Sequence, residues 1–137
     1  MRFGNPVSSA RAPRPEVGSA ATGFVLVTLA VLPLVMAVLQ LAIVWDIENT
    51  LTDAASGGAR YAAGYQRTAA AGAVRTREAI DESLDDSLIS AISSRDTTVD
   101  GQPGVEVRVA ARVPMLGLWG PSIAVHVTGH AIREVLP

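Results

Sequence analysis

Phe24-Val-Leu-Val-Thr-Leu-Ala-Val-Leu-Pro-Leu-Val-Met-Ala-Val-Leu-Gln-Leu-Ala-Ile-Val-Trp45 carries no charged residue, and neither do the seven residues that lead into it from Val17. As a helix rising about 1.5 Å per residue, these 22 residues reach roughly 33 Å, enough to cross a hydrocarbon layer of about 30 Å. A cleavable secretory signal has a shorter apolar stretch, about 7 to 15 residues, followed by a small-residue cleavage site. Here the run passes straight into Asp46-Ile-Glu-Asn49, so the segment is expected to stay in the lipid bilayer as an anchor.

The charges on either side orient it. Arg2, Arg11, Arg14 and the terminal amine stand before the run against Glu16 alone, whereas Asp46, Glu48 and Asp53 follow it before the first basic residue, Arg60. The excess of arginine keeps the N-terminus in the cytoplasm, which makes the chain a single-pass protein of the cytoplasmic membrane with an extracytoplasmic C-terminal domain. Trp45 suits the outer interface, where its ring prefers the headgroup zone. The expected organisation is a disordered cytoplasmic leader over residues 1–18, a transmembrane helix over 19–46 and an exported domain over 47–137. The leader, with Asn5-Pro6, Pro13 and Pro15 among Ser, Ala and Arg, cannot build a core.

The chain has no cysteine, so neither disulfides nor thiolate metal sites support the exported part. A domain of this size, with Trp119 and two tyrosines as its only aromatics, is expected to draw stability from packing against other subunits or the membrane. A net charge of −2 without a basic patch argues against a nucleic-acid partner. All eleven basic residues are arginine, which together with the abundance of Ala, Gly and Val reads as genomic GC bias rather than phosphate recognition.

Helical spacing continues past the membrane. Ile47, Leu51, Ala54, Ala55, Gly58 and Ala62 fall on one stripe, and the stripe is made of small residues that let another helix approach closely. Ser19 or Thr22 is expected to cap the start of the long helix, and Pro33 removes one of its backbone hydrogen bonds. The pattern lapses around Thr68-Ala-Ala-Ala-Gly-Ala73. It is expected to resume as a second, amphipathic helix over residues 77–92, capped near Thr76, with Ile80, Leu84, Leu88 and Ile92 on its apolar side. The five carboxylates Glu78, Asp81, Glu82, Asp85 and Asp86 line a helix rather than a tight glycine loop, so they read as a solvated face and not a calcium site. Asp100-Gly101 and Pro103-Gly104 break that helix.

Val105-Glu-Val-Arg-Val-Ala-Ala-Arg-Val113 then alternates with a period of two, and Ile123, Val125 and Val127 do the same, which predicts two strands forming a C-terminal antiparallel β-hairpin. Two strands alone are marginal, so helices must cover their apolar face. The linking Pro114-Met-Leu-Gly-Leu-Trp-Gly-Pro121 is too apolar for an ordinary loop and either folds over the sheet or dips into the outer leaflet. The expected fold is therefore α+β, membrane-anchored, with a long N-terminal transmembrane helix continuing outside the bilayer.

No constellation of residues supports chemistry. His126 and His130 share a strand face at about 13 Å, too far apart to chelate a metal together. No nucleophile-elbow motif frames a serine and no phosphate-binding glycine loop occurs, so neither an enzyme, a cofactor nor a small-molecule substrate is expected.

Gly18-Ser-Ala-Ala-Thr-Gly-Phe24, the apolar helix with Leu32-Pro-Leu34, and above all Asp53-Ala-Ala-Ser-Gly-Gly-Ala-Arg-Tyr-Ala-Ala63, with a closing hairpin, resemble the TadE-like proteins of Flp (tight adherence) pilus systems. The central element is an Ala-Ala-x-x-Gly-Ala-Arg signature just outside the membrane. The resemblance implies a pilin-like fold and a pseudopilin role: processing by a prepilin peptidase after a glycine, and association with other pilin-like or pilus-assembly membrane proteins. The cleavage candidates are Gly18 with Ser19, or Gly23 with Phe24. The implied helix-packing surface is Ala54, Ala55, Gly57, Gly58, Ala59 and Ala62. Family precursors carry a glutamate at the fifth position after the cut; here the two frames place Gly23 or Thr28 there. Such a glutamate pairs with a neighbouring subunit's new terminal amine in an apolar setting, where an unpaired charge costs several kcal/mol.

Overall fold

The computed structural model describes residue 1 and residues 17–115 and 121–134, in two units, Met1–Val35 and Met36–Pro137. The expected cytoplasmic leader lies almost wholly outside the described residues, as does most of the apolar link after β2.

In the first unit, the described residues from Val17 onward form one stretch of helix. Helix α1, Val17–Ala63, begins before Ser19 and Thr22, so neither caps it. Thr22 instead donates its hydroxyl to the carbonyl of Gly18 at 2.7 Å, and Thr28 to that of Phe24 at 2.9 Å. These bonds satisfy the hydroxyls within the helix itself, which is what an apolar surrounding demands of them. Pro33 is accommodated without ending the helix. The large side chains here, Phe24, Leu26, Leu29, Leu32 and Leu34 among them, are all exposed.

The second unit packs the rest of α1 and a helix α2, Ala69–Asp81, on one face of an antiparallel sheet. The sheet runs in the order β1, Ile89–Val99; β2, Gln102–Val113; β3, Ile123–Ile132. The expected hairpin is β2–β3, paired from Gly104 with Ile132 to Val113 with Ile123. Its period-two alternation works as expected, because Val105, Val107, Val109, Ala111 and Val113 are buried almost completely against the helices, joined by Val125 and Val127. Full burial of such a side chain stabilises by about 1.5–3 kcal/mol.

Residues 77–92 do not form one helix. The second helix lies earlier, across the Ala-Ala-Ala-Gly-Ala segment where the apolar pattern lapses, and it ends at Asp81. Its N-cap is Thr68, while Thr76 is a fully buried interior residue whose hydroxyl donates to the carbonyl of Ala54 at 3.3 Å. The buried side of α2 is Gly72, Thr76 and Ile80, a stripe with the right spacing but almost no hydrophobic contrast. Leu84, Leu88 and Ile92 still pack on the core, from the link and from a third strand. A single 3-10 turn, Asp86–Leu88, leads into β1; the Asp85 carboxylate accepts from the amide of Ser87 at 2.9 Å, and this bond lowers its pKa.

Strand β1 pairs with β2 through the two-residue loop Asp100-Gly101, both residues at positive φ (50° and 79°). A two-residue loop in that conformation matches the right-handed twist of the strands it joins. A register shift between Ile89 and Ala91 lets Ile89 and Ile92, three apart, both reach the core.

Close backbone approach sets the spacing of the layers. A Cβ on Gly58 would collide with the Thr76 hydroxyl and come within 2.6 Å of the Gly72 carbonyl, and one on Gly129 of β3 would collide with the α1 backbone at Ala55 and Ser56. At the far end, the amide of Glu134 donates to the carbonyl of Ala63 at 3.0 Å, occupying one of the helix's terminal acceptors. Arg133 links the Arg67 carbonyl, at 2.8 Å, to the Asp96 carboxylate.

Two glycines in adjacent positions should therefore respond oppositely. Gly58→Leu is expected to cost about 3 kcal/mol in urea unfolding of the detergent-solubilised chain, by overpacking. Gly57→Ala, where an added Cβ meets nothing within 4 Å, should gain about 0.5–1 kcal/mol. Equal midpoints for Gly58→Leu and the unaltered chain would refute the packing.

Candidate functional site

Two surfaces carry the features that sequence singled out, and a third carries one it did not. The first is the N-terminal part of α1, an uninterrupted apolar helix whose side chains pack on nothing in its own unit. By length and composition it is able to cross a membrane, and a single such helix suggests single-pass anchoring. Gly18 and Gly23 both lie within this helix and are exposed, the first one residue and the second six residues past its start.

The second surface is the signature segment. Ala55, Ala59 and Ala62 are wholly inaccessible, Ala54 nearly so, and Gly58 is buried. The physical reason is that α2 and β3 already occupy this side: Ala62 and Gly58 face Gly72, and Ala55 faces Gly129. Five of the six expected packing residues are thus taken up inside the chain. Gly57 alone is open to solvent. It lies in a shallow groove of about 440 Å³ lined by Asp53, Arg60 and Tyr61 of α1 and by Arg75 and Ala79 of α2. Arg75 also pairs with Glu78 at 3.2 Å. Arg67 stacks over the Tyr61 ring, 3.6 Å from its centre, and orients it at the edge of this groove.

The third surface, the sheet face turned away from the helices, presents a charge cluster that sequence reading missed. At its centre is Glu106 on β2, opposite Arg95 on β1 and His130 on β3. Its Oε1 lies 2.8 Å from Arg95 Nε and 2.6 Å from Arg108 Nε, and its Oε2 is 3.7 Å from His130 Nδ1. The glutamate side chain is 7% exposed although no described element covers this face, so its own neighbours bury it. The signal was present in the alternation of β2, which puts Glu106 and Arg108 on one face; the partners were hidden because β1 was not recognised. His126 sits on the same face opposite Ala110, four residue pairs beyond the line of Glu106 and His130. Among the described residues no group of three or more His, Cys, Asp or Glu side chains is placed to hold a metal. The five acids from Glu78 to Asp86 are exposed, and Asp86 pairs with Arg77.

Residues 18–60 match the family model for TadE-like proteins. The matched segment runs from the first cleavage candidate, through the apolar helix, to the arginine of the Ala-Ala-x-x-Gly-Ala-Arg signature, and so supports the resemblance on the residues that carried it. No curated protein and no solved structure matches the chain. The TadE-like match joins the exposed apolar helix and the buried stripe in one segment, while α2 and the sheet lie outside it.

Burial raises the pKa of the Glu106 carboxyl, but the Arg95 and Arg108 guanidiniums beside it outweigh that and leave the group below its ordinary value of 4.5. A depressed folded-state pKa contributes stability above the unfolded value, and that stability is lost as pH falls through the folded value. Glu106→Gln should therefore unfold more easily by about 1–2 kcal/mol at pH 7, a modest cost because both arginines are half-exposed and screened. The gap should close as the pH of urea titrations is lowered below 4.5. A gap unchanged down to pH 3 would refute this assignment.

Proposed function

We propose that the chain is a non-enzymatic minor pilin or pseudopilin that supports assembly of a Flp-type pilus or a related secretion machine through helix association in the membrane. The TadE-like match over residues 18–60 carries this reading, since it covers both the membrane-compatible helix and the signature beside it. The N-terminus is cytoplasmic and the domain extracytoplasmic, on the arginine excess before the apolar run. Pilin-like partners lie against the exposed apolar flank of α1. Beyond the membrane they meet the face that bears Gly57, because the neighbouring small residues are already occupied by α2 and β3. The bare Gly57 backbone admits a second helix closely, and Asp53, Arg60 and Arg75 around it supply charges for orientation.

Of the two cleavage candidates, the bond between Gly18 and Ser19 is favoured. The bond between Gly23 and Phe24 lies five residues, about a turn and a half, further into α1, so presenting it in extended form unwinds more of the helix. The lack of a carboxylate five residues after either cut favours one alternative: an unprocessed single-pass signal anchor whose exported domain tethers a cell-envelope partner. Mass spectrometry of the N-terminus from the native host, with and without its prepilin peptidase, separates the two. A peptidase-dependent start at Ser19 is expected, and an intact leader in both strains would favour the anchor.

Gly57→Leu is expected to reduce recovery of the chain with pilin-type membrane proteins at least tenfold, about 1.4 kcal/mol of association, with a urea midpoint no lower than that of the unaltered chain. Undiminished recovery would remove this face from the interface.

A further inference from the structure

The stripe by which α1 grips the sheet begins inside the apolar run rather than after it. Among described side chains from residue 18 onward, Gln40 is the first that is no longer exposed, and its side-chain amide donates to the carbonyl of Pro114 at 3.4 Å. Val44 packs on the core next, then Ile47 and Leu51 are buried, so residues 40, 44, 47 and 51 form one helical lane. Gln40 precedes Trp45 by five residues, about 7.5 Å along the helix axis. The end of β2 at Val113, with Pro114 and Met115 after it, therefore stands level with residues that are apolar enough to be in lipid, not above the interfacial tryptophan.

A hydrocarbon boundary at Trp45 would put this end of the sheet about 7.5 Å deep in the apolar layer. A boundary nearer Leu39 removes that cost and still leaves a sufficient span, because the uncharged run starts at Val17 and residues 17–39 extend roughly 34 Å as a helix. That boundary places Pro114 and Met115 in the headgroup zone. The side chains presented there fit it. Met115 is exposed, Leu39 and Ile43 are exposed on the helix at the same level, and Arg112, exposed near the same end of β2, has no ion-pair partner among the described residues. Trp45, also exposed, lies at the outer edge of this zone.

We propose that the end of the domain formed by Arg112, Pro114 and Met115 seats on the phospholipid interface and makes a second membrane contact beside α1. The contact is continuous with the anchor: the hydrogen bond from Gln40 to Pro114 fixes the height of the sheet on the helix, so wherever the helix leaves the hydrocarbon the sheet end arrives with it. The Met115 side chain enters the acyl boundary, and the Arg112 guanidinium meets lipid phosphate, for which its planar donor set is suited. This rests on the reading of α1 as a membrane anchor and deepens it, from a tether to a domain whose sheet end rests on the interface.

The absence of cysteine makes the test direct. Single nitroxide-labelled cysteines are placed by Met115→Cys and, near the opposite hairpin, Thr98→Cys in the full chain. The chain is reconstituted alone in phosphatidylcholine and phosphatidylglycerol vesicles at high lipid excess. The ratio of collisions with oxygen to collisions with a water-soluble nickel chelate is expected to be several-fold higher at 115 than at 98, and Arg112→Glu should pull it toward the value at 98. Equal ratios at the two sites, in chains that float with the vesicles through alkaline carbonate, would overturn the proposal while leaving the anchor standing. Failure to float would overturn both. Shielding at 115 that disappears on further dilution with lipid would assign the surface to a second copy of the chain and also overturn it.

Discussion

The structure depends on one constraint: the backbone of α1 must come close enough to α2 and β3 that side chains at the crossing points are excluded. Gly58 faces Thr76 and the carbonyl of Gly72, and Gly129 faces the backbone between Ala55 and Ser56. Glycine in a helix interior costs about 1 kcal/mol in propensity, and α1 and α2 each accept that cost. In return the Thr76 hydroxyl reaches the carbonyl of Ala54, and the valines of β2 are sealed from water with no large aromatic side chain among the described core residues. A small domain without disulfides thereby closes its core through close approach rather than bulk.

That constraint also divides the labour along α1. Its N-terminal part presents large apolar residues on every side, as a helix surrounded by lipid or by other helices does. From Gln40 onward one lane turns inward onto the sheet, while Gly57 and the charged residues around it remain outward. The TadE-like match spans this change of role, which explains why one segment can hold both an anchor and a signature of small residues.

Much of this was legible in the sequence, for identifiable reasons. The anchor, the lane through Ile47, Leu51, Ala55 and Ala62, and the β2–β3 pair each combine strong hydrophobicity with a clean period over many residues. The second helix was misplaced because its buried residues, Gly72 and Thr76, have no hydropathy to reveal them, while Ile80, Leu84, Leu88 and Ile92 happen to fall four apart across a helix end, a turn and a strand. Strand β1 was hidden because Ser94 and Asp96 lie on the side facing the helices and a register shift breaks its alternation. The signature was recognisable, but small residues pack as well inside a chain as between chains, so only the fold shows that Gly58 is taken and Gly57 is free. The Glu106 cluster needed the third strand before its partners could be paired.

Whether the contact between α1 and α2 forms within one chain is the most direct test of this packing. Isotope-filtered NMR on an equimolar mixture of carbon-13-labelled and unlabelled chains in detergent should show the Gly58 α-protons close to the Thr76 methyl group only within labelled chains. The same contact appearing only between labelled and unlabelled chains would make the small-residue stripe an intersubunit surface and contradict the closure of the core within a single chain.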